Sequence, residues 1–197
     1  MNRAEFVSRG AKGGAALVVA GAALGPLVRT AVGDPLPTGD LAYARLLVGA
    51  ELLASDFYGQ AVAAANSKPH VLAYLKRART NELEHYESVA GILTGAGAVP
   101  AVAADIDFSY PKGAFASEGS ILKLARQLET LLLGTYLGAV GGTQTASLKQ
   151  GLAQIAACEA QHLSYASAAT GNKVFSVSFP PALTIDQAST AMDGFTS

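Results

Sequence analysis

The sequence contains two copies of a Glu-x-x-His motif, Glu82-Leu83-Glu84-His85 and Glu159-Ala160-Gln161-His162. On a helix, residues three positions apart project from one face about one turn apart, so each carboxylate and imidazole can contact the same ion. The chain has a single cysteine, Cys158. A disulfide within the chain and a thiolate metal cluster are therefore excluded, and any metal site must use Glu, Asp and His.

Each motif is matched by a single glutamate on the preceding helical segment. Glu51 lies 16 residues before the middle of the first predicted turn, and Glu82 lies 15 residues after it. Glu129 and Glu159 each lie 15 residues from the end of the second turn. Because residues equidistant from a tight turn lie at one height on two antiparallel helices, each motif should face one glutamate. Their neighbours on these faces are apolar or small, which predicts that the carboxylates lie on core stripes.

Four carboxylates and two imidazoles in the core of a bundle require compensating charge, since an isolated buried ion costs several kcal/mol. Two divalent cations would balance the four negative charges. Oxygen and imidazole ligands without thiolate suit iron or manganese, although zinc or copper can compete for the same groups. The sequence thus predicts two divalent metal ions, iron in the first instance with Mn or Zn as alternatives, bound by Glu51, Glu82, His85, Glu129, Glu159 and His162.

The elements that must position these residues are four long helical segments. Almost no stretch alternates between apolar and polar residues as a strand would, so the body is predicted to be all-α. The predicted helices cover about residues 40–65, 69–93, 121–138 and 146–170. Asp40 is expected to cap the first helix. Residues 95–120 contain two prolines and several glycines, which predicts a long crossover between two hairpins. A short helix capped at Thr184 is predicted in the C-terminal extension from residue 171.

These features resemble the ferritin-like di-iron carboxylate proteins, whose helix bundles combine single glutamates with Glu-x-x-His motifs. Asp107-Phe108-Ser109-Tyr110-Pro111 and Thr135-Tyr136-Leu137-Gly138-Ala139 further resemble the exported bacterial ferritin-like domain family, which is related to plant desiccation-associated proteins. The resemblance covers about residues 40–195. It implies a ferritin-like four-helix bundle followed by a short C-terminal helix.

The resemblance also implies roles for the ligands and a class of function. Glu51 and Glu129 would each bind one metal, Glu82 and Glu159 would bridge the two metals, and each histidine would donate one nitrogen. The implied activity is that of a ferroxidase, or an oxidoreductase that consumes O₂ or H₂O₂, in stress protection. The alternative is a non-enzymatic desiccation or stress protein whose metal only braces the bundle. Iron storage in a hollow shell is a third and weaker hypothesis.

Several residues near the motifs have a structural and a functional interpretation. Tyr58 and Tyr136 each follow a single glutamate by seven residues, on the same helix face. They are interpreted as core aromatics with a bonded hydroxyl, with contact to the metal ligands or a redox role as the alternative. Cys158 is expected to be a buried, unreactive thiol that points away from the motif beside it. Solvent exposure is expected for Glu84, Glu87 and His70.

The first 33 residues have the features of an export signal. Basic residues precede the charge-free run Gly13 to Val28, which at about 16 residues is short for a bilayer of roughly 30 Å. Cleavage after Gly33 would leave a domain of residues 34–197 in the periplasm or another extracytoplasmic compartment. An uncleaved membrane anchor through residues 13–28 is the alternative.

The overall composition restricts the remaining classes of function. The chain has 197 residues, of which 50% are hydrophobic and 15% charged, so one compact domain with an appendage is expected rather than disorder. The net charge of −1 supplies too little positive field for a nucleic-acid partner. The expected partners are metal ions and O₂ or H₂O₂, and formation of a homodimer is left open.

Overall fold

The computed structural model describes residues 35–64, 66–174 and 177–196, and these residues form helices joined by loops. The predicted export signal therefore lies outside the described residues. The four long helices are α1 (Thr38–Ala63), α2 (Pro69–Gly95), α3 (Glu118–Gly142) and α4 (Ala146–Ala169). They are followed by the short helix α5 (Ile185–Met192), and 3₁₀ turns lie at Ala103–Asp105 and Asp193–Phe195. In the described ranges, extended pairing is limited to one isolated bridge between Phe108 and Thr196. The predicted all-α class is confirmed.

The long helices form two antiparallel hairpins. α1 packs along α2, α3 packs along α4, and α1 also contacts α3 across the bundle. The long connection between α2 and α3 joins the two pairs. The predicted arrangement of two hairpins and one crossover is therefore confirmed. Among the described helices, none is both long enough and apolar enough to cross a membrane.

α3 is longer at both ends than the sequence predicts. It begins at Glu118, three residues before the predicted start, because Ser117 and Ser120 form a capping box. The Ser117 side chain accepts the Ser120 N–H at 3.1 Å, and the Ser120 side chain accepts the Ser117 N–H at 3.0 Å. At the other end, glycines that were predicted to form a turn continue the helix to Gly142.

Asp40 does not cap α1, and that prediction is wrong. α1 begins two residues earlier, at Thr38. The buried Asp40 carboxylate accepts the backbone N–H groups of Gln144 and Thr145, at 2.8 and 2.9 Å, just before α4 begins. Burial opposes ionisation of Asp40, but its hydrogen bonds with Thr145 and Gln144 hold its pKa below the ordinary value. Asp40 therefore holds the residues just before a helix of the other hairpin and ties the two hairpins together.

The C-terminal extension packs closely against α3. The Leu183 N–H donates to the Gly134 carbonyl at 2.8 Å. A Cβ atom on Gly138 would lie 1.8 Å from the Leu183 carbonyl oxygen, so this contact requires glycine. Thr184 and Gln187 form the capping box that starts α5, as predicted. Two buried side chains of α5, Ala188 and Met192, then join an apolar core cluster to which all four long helices contribute.

The apolar core is divided into two clusters. One includes Phe57, Leu75 and Ile121, and the other includes Val89 and Ile155. Along both α1 and α3, the residues of one cluster lie mostly before those of the other. On each of these helices, a buried glutamate lies near the boundary between the two clusters. The fold thus places a layer of buried carboxylates between two apolar regions.

Candidate metal centre

The six predicted ligands meet in the interior of the bundle. All four glutamates are buried, with 0% of their residue surface exposed, and neither histidine is exposed. Each long helix contributes at least one of them. They are Glu51 on α1, Glu82 and His85 on α2, Glu129 on α3, and Glu159 and His162 on α4.

The donor atoms of these residues form two groups that share two carboxylates. Within each group, one donor atom from every residue lies within 4.8 Å of the others. The shared residues are Glu82 and Glu159, the two glutamates to which the sequence resemblance assigns a bridging role. The first group is completed by Glu51 and His85, and the second by Glu129 and His162.

Each histidine directs its Nδ1 atom into its own group. His85 Nδ1 lies 2.9 Å from Glu159 Oε1, 3.2 Å from Glu82 Oε2 and 3.8 Å from Glu51 Oε2. His162 Nδ1 makes the matching contacts, 2.9 Å from Glu82 Oε1 and 3.4 Å from Glu159 Oε2, and it lies 3.6 Å from the single glutamate of its group. The two halves of the centre are therefore related by an approximate two-fold, although His85 lies near Oε2 of Glu51 and His162 lies near Oε1 of Glu129.

Several buried polar atoms of the cluster have no hydrogen-bond partner among the described residues. His162 Nδ1 is within ion-pair distance of Glu82 Oε1, but the two atoms are not aligned for a hydrogen bond. A buried polar atom without a partner costs about 1–3 kcal/mol. A divalent ion between these atoms would remove that cost, so the residues fit a metal site with oxygen and nitrogen ligands. The atoms are Glu51 Oε2, Glu82 Oε1, Glu129 Oε2, Glu159 Oε1 and Oε2, and His162 Nδ1.

The single glutamates favour their protonated forms when no cation is present. Burial, followed by the negative charge of Glu82, raises the pKa of Glu51 well above its ordinary value. Burial and the charge of Glu159 raise the pKa of Glu129 in the same way. A metal ion entering either group must displace these protons.

The histidines favour their charged forms in the metal-free cluster. Burial alone would lower the pKa of His85, but its interactions with Cys158, Glu159 and Glu82 outweigh burial and raise it. The pKa of His162 is raised by the same kinds of contact. Positive imidazolium groups therefore balance part of the carboxylate charge until a cation replaces their protons.

A tyrosine from the opposite hairpin is bonded to each single glutamate. The Tyr136 hydroxyl on α3 donates to Glu51 Oε1, and the Tyr58 hydroxyl on α1 donates to Glu129 Oε1. Burial and the adjacent carboxylate raise the pKa of both phenols, so both remain donors. The structure thus brings the two tyrosines selected from the sequence into contact with predicted ligands.

Cys158 does not point away from the cluster, in contrast to the prediction. Its Sγ atom lies 3.7 Å from His162 Nε2, on the outer side of the ring. Cys158 precedes His162 by four residues and so shares its helix face, whereas the prediction compared Cys158 only with the adjacent Glu159. The thiol is half-buried. Burial opposes its ionisation, but interactions with His162 and His85 lower the pKa of Cys158 to about 7.

Asn81 is a neighbour of the centre that the sequence analysis missed. Its Nδ2 atom lies 3.0 Å from His162 Nε2 and 3.4 Å from Cys158 Sγ. Asn81 precedes His85 by four residues, as Cys158 precedes His162. This repeated offset, which places each residue on the helix face of a ligand histidine, could have identified Asn81 from the sequence. By contrast, the exposure predicted for Glu84, Glu87 and His70 is confirmed.

Comparison with known protein families assigns the part of the chain that holds this centre to one family of domains. The family model described as "Ferritin-like domain" matches residues 39–172, a range that contains all six candidate ligands. No curated protein matches the chain.

Proposed function

Because the chain belongs to the ferritin-like domain family, we propose that it binds two divalent metal ions, iron in the first instance, and oxidises Fe²⁺ with O₂ or H₂O₂. The observation that carries this proposal is the sharing of Glu82 and Glu159 between two groups of donor atoms. Two groups that share two carboxylates are suited to a pair of ions with common bridging ligands. A single-ion site would not need the second histidine and the second unshared glutamate.

The ligand roles follow from this grouping. Glu82 and Glu159 would bridge the two ions, while the other four residues would each contact one ion. When bound, two ferrous ions would supply electrons for the reduction of O₂ or H₂O₂. The single-ion ligands would be Glu51 with His85 at one position and Glu129 with His162 at the other.

The surrounding residues would hold this geometry and limit access of water. The Tyr136 and Tyr58 hydroxyls fix one oxygen of each single glutamate, and the other oxygen lacks a hydrogen-bond partner within the described chain. The two apolar clusters enclose the carboxylate layer, so charge interactions there are stronger than in water. The export signal predicted at residues 1–33 would place this chemistry outside the cytoplasm.

Oxygen uptake by the full chain tests the proposed reaction. The metal-free protein is loaded with Fe²⁺ under anaerobic conditions and then mixed with O₂ or H₂O₂ while oxidant loss and ferric absorption are recorded. We expect oxidant loss that scales with protein and is lost in Glu159→Gln, with Glu84→Gln as the control on an exposed carboxylate. Thermal stabilisation by metal without oxidant loss would instead support the structural role.

A further inference from the structure

Three tyrosines form a continuous path from the candidate centre to the protein surface. The Tyr58 hydroxyl donates to Glu129, and the Tyr58 and Tyr74 hydroxyl oxygens are 2.9 Å apart. The rings of Tyr74 and Tyr165 are stacked, with centroids 3.9 Å apart and an interplanar angle of 18°. Tyr58 is buried, whereas Tyr165 is partly exposed. Each step of this path is therefore a direct contact.

The outer part of the path exists in only one half of the approximate two-fold. Tyr74 lies eight residues before its Glu-x-x-His motif, and the equivalent position before the other motif is Gly151. Tyr165 lies three residues after its motif, and the equivalent position is Ser88. Gly151 and Ser88 line a small cleft instead. The approximate two-fold relates Tyr58 to Tyr136. It does not account for the presence of Tyr74 and Tyr165, because the equivalent positions in the other half hold no tyrosine.

The contacts along the path also exceed what packing requires. Phenylalanine would fill the same apolar space as Tyr58, yet the Tyr58 hydroxyl contacts both the Glu129 carboxylate and the Tyr74 hydroxyl. Tyr74 also reaches the backbone carbonyl oxygen of His162, at 3.3 Å. A near-parallel stack of two phenols beyond this contact gives the orbital overlap that single-electron transfer needs. The partly exposed Tyr165 ring presents the end of the path to solutes.

We propose that Tyr58, Tyr74 and Tyr165 carry single electrons from the surface to the metal position at Glu129 and His162. The donor class is that of small phenolic reductants such as hydroquinone, which can approach Tyr165 as one ring approaches another. This inference rests on the proposed di-metal function. The proposed iron oxidation needs no external electron donor, and this inference adds one.

The overall reaction balances with H₂O₂ as the oxidant. Hydroquinone loses two electrons and two protons and becomes benzoquinone. Hydrogen peroxide gains two electrons and two protons, its O–O bond breaks, and two water molecules form. The electrons move one at a time. Tyr165 passes an electron to Tyr74 and a proton to solvent, then recovers both from hydroquinone, while each inner phenol shifts its proton along its hydrogen bond and regains it.

The test uses the iron-loaded full chain with H₂O₂ and hydroquinone. Bound iron, benzoquinone formation and the site of a trapped tyrosine radical are measured, the last by a spin trap and peptide mass spectrometry. Tyr74→Phe keeps the ring and removes the hydroxyl. The matched control is Tyr86→Phe on the same helix, because Tyr86 donates to the Ala101 carbonyl outside the path.

We expect Tyr74→Phe to bind as much iron as the unmodified protein but to form benzoquinone at least about 10-fold more slowly. This change in rate corresponds to an activation barrier raised by about 1.4 kcal/mol. The spin-trap adduct at Tyr165 should disappear in this variant and persist in Tyr86→Phe. An unchanged rate and adduct in Tyr74→Phe would overturn the path. Bound iron and peroxide loss without any Tyr165 adduct would overturn the path alone, whereas failure to bind iron would overturn the proposed function and the path together.

Discussion

The Tyr136 hydroxyl on α3 donates a hydrogen bond to the Oε1 atom of Glu51 on α1. The other oxygen, Oε2, has no hydrogen-bond partner among the described residues and lies 3.8 Å from His85 Nδ1. One oxygen of Glu51 is thus fixed by the opposite hairpin, and the other faces the candidate centre. The same division between held and unpartnered oxygens occurs at Glu129, where Tyr58 is the donor.

Removal of the Tyr136 hydroxyl should weaken one of the two metal positions. Tyr136→Phe keeps the buried ring but leaves Glu51 without its donor, and losses of such outer contacts typically reduce metal affinity by about 10–100-fold. Titration calorimetry with Mn²⁺ should show one weakened and one unchanged binding step. Tyr110→Phe is the control, because Tyr110 donates to Asp56 away from the centre. Equal affinities in Tyr136→Phe and the unmodified protein would contradict this role.

Metal binding should release protons and become tighter as the pH rises. In the metal-free cluster, the pKa values of Glu51, Glu129, His85 and His162 are all raised, so protons occupy groups that a metal needs in deprotonated form. Each proton displaced should strengthen binding about 10-fold per pH unit while its group remains protonated in the free protein. Calorimetry at pH 7 in two buffers of different ionisation enthalpy measures the release. A binding enthalpy independent of the buffer would show that no proton leaves.

The contact between the C-terminal extension and α3 should tolerate no side chain at Gly138. Gly138→Ala would place a Cβ atom 1.8 Å from the Leu183 carbonyl oxygen, so the extension must move. We expect the free energy of unfolding to fall by about 1–3 kcal/mol. Gly141→Ala on the same helix is the control, because its Cβ atom would meet no atom within 4 Å. Denaturant unfolding of both variants checks the prediction, and equal stabilities would contradict it.

Local periodicity was sufficient to predict the ligand layer. The spacing within each Glu-x-x-His motif and the equal distances from the turns place Glu51 beside Glu82 and Glu129 beside Glu159. Both relations concern residues on one helix or in one hairpin, where the geometry of the helix and a short turn determines the register. The structure places all four carboxylates together, as that register predicts.

Contacts between the hairpins were not predictable in the same way. Asp40 binds the backbone just before α4, and Tyr136 crosses to Glu51, because the two hairpins pack with a particular offset. No repeat within either hairpin encodes that offset. Cys158 shows a different limit, since its direction was judged against the adjacent residue instead of against His162, four residues later. The two serines of the capping box, by contrast, could have predicted from the sequence that α3 begins at Glu118.

The number of metal ions bound per chain tests the central claim most directly. The full chain is loaded with Fe²⁺ under anaerobic conditions, freed of excess metal and analysed for iron and protein. We predict two iron ions per chain in the unmodified protein and in Glu84→Gln, and no more than one in Glu82→Gln, because Glu82 belongs to both groups of donors. Circular dichroism confirms that the variants remain helical. Two iron ions in Glu82→Gln, or none in the unmodified protein, would contradict a shared di-metal centre.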